Sequence, residues 1–195
     1  LLFSLDINSP FAPSVSSKEE NVEMSASPFF YITLSLTNKS LIKQKKNIFF
    51  SMGDAQNIKQ KDRIEILYFN DQTENGIQAL AYPRNQNGLK SFVDKKHGGI
   101  SWEAELDPHS SSSNTLIYAG YFNGTVITDI SGDQTRRLKF AYTQWFNNVE
   151  EIIAFAWKNK EKFLLKTKEF EQNILAKSFS PQIKWLLAQS FHSYI

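Results

Sequence analysis

Residues 140–159, FAYTQWFNNVEEIIAFAWKN, mark the point at which the pattern of the chain changes. Before this stretch, apolar residues tend to recur at every second position, as in half-buried β-strands. Within it they recur with a period of about 3.6, as on one face of a helix. The helical stripe consists of Tyr142, Trp145, Phe146, Val149, Ile152, Ile153 and Ala156. The chain is therefore predicted to be rich in β-structure first and helical afterwards.

The region before the change contains short segments separated by turn signals. Residues 100–106 alternate most cleanly, and residues 115–122 are apolar on both faces, which is typical of a central strand covered on both sides. Further strands are predicted at residues 29–37, 47–52, 63–69, 77–82 and 125–130, turns at 38–40 and 75–76, and a loop at 107–114. Repeated short strands of this kind predict a mainly β fold, an antiparallel β-sandwich.

Two more helices are predicted after the first stripe. One spans about residues 160–176, with Phe163 and Phe170 on its apolar face. The other begins at Ser180 and Pro181, because serine is a good N-cap and proline suits the first helical position. This last helix is apolar over much of its circumference, so we expect it to pack against further helices. The first six residues contain no initiator methionine and do not resemble a signal peptide. We therefore expect this chain to be a fragment that is cut at both ends.

The composition of the 195 residues limits the classes of function. Hydrophobic residues make up 41% and aromatic residues 14% of the chain, which permits a packed core and excludes a disordered tail. The formal net charge of +2 gives no bulk attraction to nucleic acid, so no nucleic-acid partner is predicted. The chain has no cysteine, which excludes disulfides and thiol catalysis. No apolar run reaches the roughly 18 residues of a membrane span, so no transmembrane segment is expected.

Candidate chemical groups are few. Glu103 and Glu105 share one strand face near Asp107 and could act as a carboxylate pair, but a solvated strand face is the favoured interpretation. A metal site could in principle gather Asp94, His97, Asp107 and His109. These residues lack the short spacing of common metal motifs, and exposed loops explain them better. The remaining histidine is His192.

Basic and aromatic residues offer no clearer site. The basic clusters are Lys43, Lys45 and Lys46, then Lys59, Lys61 and Arg63, then Arg136, Arg137 and Lys139. Nearby acidic residues balance them, so solvated charge is the favoured interpretation. The tryptophans that could stack on sugars are Trp102, Trp145, Trp157 and Trp185, but burial or packing is expected for most of them. We assign no catalytic, cofactor-binding or metal-binding residue and expect no cofactor.

Residues 138–151, LKFAYTQWFNNVEE, resemble the linker of glycoside hydrolase family 116, the β-glucosidase and non-lysosomal glucosylceramidase group. In that family an aromatic segment followed by acidic residues leaves an N-terminal β-sandwich. A connector helix comes next, as at residues 159–176, and a helix with an early proline opens an (α/α)6 barrel, as FSPQIKWLL would at 179–187. Residues 5–10 and the strand at 30–38 are similar as well. Residues 110–113 depart from the family, which often has a turn with glycine and proline there.

The resemblance implies three parts: a β-sandwich domain at 1–135, a helical linker at 136–178, and the start of a truncated helical catalytic domain at 179–195. It also implies a non-catalytic supporting portion of a glycoside hydrolase that cleaves β-glucosides or β-xylosides by a retaining mechanism. The catalytic carboxylates would lie beyond Ile195. The implied partners are the downstream barrel and, through it, a carbohydrate substrate. Two alternatives stay open: a sandwich domain of a related glycoside phosphorylase, and a stand-alone carbohydrate-binding or interaction module.

Overall fold

The computed structural model describes residues 1–9, 26–70, 76–84, 86, 88–94, 97–131 and 134–183. The strands are β1 (Leu2–Asn8), β2 (Phe29–Thr37), β3 (Gln44–Ser51), β4 (Ala55–Lys61), β5 (Ile64–Asn70), β6 (Gly76–Pro83), β7 (Leu89–Val93), β8 (Gly98–Leu106), β9 (Ser111–Phe122), β10 (Ile127–Ser131) and β11 (Gln134–Leu138). A 3-10 helix (Ala141–Gln144) and one α-helix, α1 (Val149–Leu175), follow.

Two antiparallel sheets form the sandwich. The large sheet has the strand order β1-β2-β9-β6-β5-β4, and the small sheet has the order β3-β8-β7. Strands β10 and β11 make a separate hairpin. The apolar strand β9 lies inside the large sheet between β2 and β6, as its two apolar faces predict. The predicted fold class, a mainly β antiparallel sandwich followed by helix, is confirmed.

The first core lies between the two sheets. In β8, Ile100, Trp102, Ala104 and Leu106 are buried, whereas the glutamates between them are exposed. The strict alternation of this strand places every second side chain on one face, so the prediction for residues 100–106 is confirmed. From the large sheet this core receives Ile32, Leu34, Leu36, Leu67, Phe69, Leu80, Tyr82 and Leu116.

The second core lies on the opposite face of the large sheet, beneath α1. The helix contributes Val149, Ile152, Ile153, Ala156 and Phe163. Hydrogen bonds fix its position: the Tyr31 hydroxyl donates to the Ala156 carbonyl at 2.7 Å, and the Tyr68 hydroxyl donates to Glu150 Oε1 at 2.6 Å. Tyr31, which alternation alone places on the more polar face of β2, is only 1% exposed because α1 covers that face.

The prediction of two helices on either side of residue 160 is wrong. Helix α1 is continuous over 27 residues, since no glycine or proline interrupts it and the Asn159 side chain donates within the helix to the Phe155 carbonyl at 2.9 Å. Its first turn is capped: Glu151 N donates to Asn148 Oδ1 at 2.9 Å, and Glu151 Oε2 accepts from Asn147 N at 2.8 Å. Of the described helices, none has the length and apolar character needed to cross a membrane.

The predicted third helix is only partly covered by the described residues. Residues 181–183 are helical, and Ile183 N donates to Ser180 Oγ at 3.3 Å, which confirms Ser180 as the cap. Residues 184–195, with Trp185 and His192, lie outside the described residues. Asn75 of the predicted 75–76 turn does too, although β5 and β6 do form the expected antiparallel pair.

The loop predicted at 107–114 is wrong in its second half. Strand β9 begins at Ser111, and its serine run pairs with the end of β2, with Ser111 opposite Thr37 and their hydroxyls 2.9 Å apart. Pairing with β2 satisfies the backbone there, which overrides the turn tendency of serine. Strands β1, β4, β7 and β11 were not predicted from the sequence. Strands β4, β7 and β11 alternate weakly, whereas β1 alternates in LFSLDIN and its pairing with β2 identifies it as a strand.

The predicted turn after β2 is confirmed and has a buried centre. Asn38 is 0% exposed. Its Nδ2 donates to the carbonyls of Ile42 at 2.8 Å, Asp107 at 3.0 Å and Leu106 at 3.2 Å, and its Oδ1 accepts from Ser40. One amide therefore joins the end of β2 in the large sheet to the end of β8 in the small sheet.

Candidate functional site

A cleft of about 300 Å³ lies where the ends of β6 and β9 meet the segment that leads into α1. We call it the junction cleft. Its described lining residues are Ala26, Pro28, Ile77, Gln78, Gly120, Tyr121, Phe122, Phe140 and Tyr142. A Cβ added to Gly120 would meet no atom within 4 Å, so the absence of a side chain there leaves open space.

The cleft exists because β9 is longer than its neighbour β2. The last bond between them runs from Gly120 N to the Pro28 carbonyl at 2.9 Å. Beyond it, Phe122 N donates to Tyr142 Oη at 2.9 Å, and the same hydroxyl donates to the Phe122 carbonyl at 3.2 Å. Tyr142 thus satisfies backbone groups that a strand would otherwise bond. Burial raises the pKa of Tyr142.

The chemistry of the cleft is aromatic. The rings of Phe140 and Tyr142 are stacked at 5.3 Å and 13°, and Phe122 meets Phe140 edge-on at 6.3 Å. The amide of Gln78 adds a polar group, and its Oε1 accepts from the Tyr118 hydroxyl. The described lining residues include no carboxylate, imidazole or amine. The cleft can hold a stacked or apolar group, but these residues supply no acid or base for catalysis.

The predicted carboxylate pair lies on the exposed outer face of the small sheet. Glu103 bonds Lys45 at 2.5 Å, Glu105 bonds Lys43, and Asp107 lies 3.8 Å from Lys43. The hydrogen bond from each lysine lowers the pKa of Glu103 and of Glu105. A general acid and a general base need pKa values that are pushed apart. The pKa values of Glu103 and Glu105 are both lowered. The arrangement supports the solvated strand face.

The four residues considered as metal ligands do not come together. Asp94 and His97 form the turn between β7 and β8, where the His97 amide donates to Asp94 Oδ1 at 2.8 Å. Asp107 and His109 lie in the turn at the other end of β8. Nine residues of strand at about 3.3 Å each separate the two turns. Within the described ranges, no group of three or more acidic or histidine side chains could hold a metal ion.

Lysines of the basic clusters contact neighbouring side chains, and three of the four tryptophans pack against the two cores. Lys59 lies 4.9 Å from the centre of the Tyr68 ring, and Lys139 donates to Asn123 Oδ1 at 2.9 Å. Trp102 is buried between the sheets, and Trp145 and Trp157 pack partly buried against the core under α1. All three indoles are therefore at least partly covered by neighbouring residues.

Glu65 makes polar contacts that were not predicted from the sequence. Its Oε1 accepts from the Tyr82 hydroxyl and from Ser91 N at 3.3 Å. Since Tyr82 is on β6 and Ser91 on β7, the carboxylate joins the two sheets. Burial opposes ionisation, but the hydrogen bonds from Ser91 and Tyr82 outweigh it and lower the pKa of Glu65. Burial, together with the bond to Glu65, raises the pKa of Tyr82 to about 12. The sequence does contain a signal for this contact: Glu65 lies two residues before Leu67, and alternate residues of a strand share one face. Since Leu67 is buried, Glu65 points toward the same core.

We expect Glu65→Gln to lower the free energy of unfolding at neutral pH but not at low pH. A carboxylate whose folded pKa lies below its unfolded value of about 4.3 stabilises the fold above that value. The contribution is lost as the pH falls through the folded pKa. Urea unfolding at neutral pH and at about pH 2 measures it. Glu103→Gln, in an exposed ion pair, is the control and should change little at either pH. An equal deficit of Glu65→Gln at both pH values would contradict the prediction.

Comparison with known proteins places the geometry in context. The family model described as glycosyl hydrolase family 52 matches residues 2–195. No curated protein matches. A solved structure described as a kojibiose phosphorylase from the human microbiome is similar at a TM-score of 0.39 and 14% identity, over 87% of this chain and 20% of that one. This chain thus spans one fifth of that protein, and so low a similarity establishes neither a shared fold nor a shared activity.

Proposed function

Because this chain belongs to glycosyl hydrolase family 52, we propose that it is the non-catalytic supporting portion of a larger glycoside hydrolase. Family 52 differs from family 116, which the linker segment resembles, but both are families of glycoside hydrolases. In the proposed role the sandwich is a rigid base, and α1 connects it to the part of the protein that carries the catalytic groups.

The observation that carries the proposal is the way α1 leaves the sandwich. The helix packs on the large sheet as far as Thr167, which is 4% exposed. After Thr167, every side chain whose burial the structure describes is exposed. Phe179 and Ile183 follow the helix and are 49% and 44% exposed. Exposed large apolar side chains beyond a helix are suited to packing against further protein.

The location of the catalytic groups is also part of the proposal. The described residues of the junction cleft offer no acid or base, and Glu103 and Glu105 are held in surface ion pairs. We therefore place the catalytic carboxylates elsewhere in the larger protein, acting on β-glucosides or β-xylosides by the retaining route, with carboxyl groups about 5–5.5 Å apart. The division into parts at 1–135, 136–178 and 179–195 stays a prediction.

The expected result is that the purified 195-residue chain releases no nitrophenol from aryl β-glucosides or aryl β-xylosides. The full-length protein is expected to cleave one of them and to give the β-anomer of the sugar first, as proton NMR can follow. Turnover by the 195-residue chain would contradict the supporting role. Sugar release that requires inorganic phosphate would favour the phosphorylase alternative instead, and glycan binding by the chain alone would favour an interaction module.

A further inference from the structure

The base of the β10–β11 hairpin brings an asparagine and a lysine together. The chain leaves β9, runs through Asn123 and Gly124 into the hairpin, and returns from it at Lys139. Val126 N donates to the Leu138 carbonyl at 2.8 Å, which closes the base of the hairpin. This pairing sets the lysine beside the asparagine, and Lys139 Nζ donates to Asn123 Oδ1 at 2.9 Å. The side-chain amide is therefore held with an ammonium group on its carbonyl oxygen.

Gly124 provides a nucleophile next to this amide. Its backbone nitrogen follows Asn123 directly, so attack of that nitrogen on Asn123 Cγ closes a succinimide ring within the chain. Glycine has no Cβ to obstruct the approach. Gly124 lies between β9 and β10, and among the residues that the structure describes its N–H donates to no acceptor. The nitrogen can therefore react without first breaking a hydrogen bond of a sheet.

Lys139 provides electrostatic assistance. Attack on Asn123 Cγ places negative charge on Oδ1, the atom to which Lys139 Nζ already donates. A positively charged donor that is in place before the charge develops stabilises the tetrahedral intermediate without further rearrangement. Asn123 and Lys139 are both exposed, so water can reach the ring that forms. The nucleophile, the electrophile and the group that stabilises the oxyanion thus meet at one point of the fold.

We propose that Asn123 is a site of spontaneous deamidation assisted by Lys139. The bond between Gly124 N and Asn123 Cγ forms, the bond between Cγ and Nδ2 breaks, and the amide nitrogen leaves as ammonia with the proton from Gly124 N. Water then opens the succinimide at either carbonyl and gives aspartate or isoaspartate at position 123. Water is the only co-reactant. The product places a carboxylate against Lys139 where a neutral amide stood before.

The isoaspartate product alters the backbone beside the junction cleft. It inserts an additional methylene into the main chain between Phe122 and the hairpin. The amide and the carbonyl of Phe122 bond to the Tyr142 hydroxyl at 2.9 Å and 3.2 Å, and Tyr142 lies on the segment to which the hairpin returns. A longer connection on one side of the hairpin shifts these two segments relative to each other, so deamidation weakens the contact between Phe122 and Tyr142.

Peptide mapping by mass spectrometry of the 195-residue chain, aged at mildly alkaline pH, tests the proposal. The sequence contains three Asn-Gly pairs, at 75–76, 87–88 and 123–124, so the other two pairs are internal standards. Lys139→Gln is expected to slow deamidation of Asn123 severalfold and to leave the other two rates unchanged. The matched control is Lys160→Gln, which removes the same charge from a lysine that donates to Thr115 Oγ1 at 3.3 Å; it leaves all three rates unchanged. Far-UV circular dichroism checks that both variants fold.

Ageing in urea separates the folded geometry from the local sequence. Unfolding removes the contact between Lys139 and Asn123, so the original chain and Lys139→Gln are expected to deamidate at equal rates in urea. The proposal is overturned if Asn123 stays intact in the folded chain, if Lys139→Gln does not slow its loss, or if the slowing persists in urea. Hydrogen exchange of the aged chain tests the consequence: the Phe122 amide is expected to exchange faster once isoaspartate has formed, and unchanged exchange contradicts the weakened contact with Tyr142.

Discussion

Phe163→Ala is expected to lower the free energy of unfolding by about 3–5 kcal/mol. Phe163 is 1% exposed and lies at the centre of the aromatic contacts between α1 and the large sheet. Its ring centre is 5.3 Å from that of Phe29, 5.9 Å from Phe155 and 6.3 Å from Tyr31. Truncation leaves a cavity that these neighbouring rings cannot easily fill, because each is itself held by the sheet or the helix.

Urea denaturation followed by far-UV circular dichroism measures this loss. The matched control is Leu165→Ala, two residues further along α1, where the side chain is 57% exposed; it should change the stability by no more than about 0.5 kcal/mol. Hydrogen exchange adds a local test, since loss of the Phe163 contacts should speed exchange in α1 before exchange in β8. Equal effects of the two substitutions would show that α1 does not depend on this face.

Trp102→Ala is expected to have a similar effect, about 3–5 kcal/mol, through the other core. Trp102 lies between the two sheets and is 2% exposed. It is the largest by volume of the fully buried side chains that the structure describes. It lies on β8, the central strand of the small sheet, with Ile48 opposite on β3 and Leu89 opposite on β7. Removing the indole takes a large buried aromatic side chain out of the core between the two sheets.

The matched control for Trp102→Ala is Phe49→Ala on the neighbouring strand β3. Phe49 is 69% exposed on the outer face of the small sheet, so its loss should change the urea midpoint only slightly. Far-UV circular dichroism is the suitable signal, because Trp102→Ala itself alters the tryptophan fluorescence. A loss below about 1 kcal/mol for Trp102→Ala would mean that the small sheet is held mainly by other contacts, such as Asn38 and Glu65.

The junction cleft could be predicted only in part from the sequence. Phe140 and Tyr142 belong to the stretch that marks the change from strand to helix, and the resemblance to a glycosidase linker rests on the same residues. Gln78 and Gly120 carry no such signal. They reach the cleft because β6 pairs with β9, with Gln78 opposite Gly120, and pairing between distant segments leaves no local trace in the sequence.

The sequence by itself determined the features that depend on near neighbours. The alternation of β8, the two apolar faces of β9, the turn at Asn38 and the cap at Ser180 all follow from side-chain spacing or local hydrogen bonding. The tertiary structure alone decided what covers each face. It buried Tyr31 beneath α1 and drew the serines from Ser111 into β9. The physical reason is that burial and strand pairing depend on segments far apart in the chain, and a local pattern indicates which face is apolar but not which partner meets it.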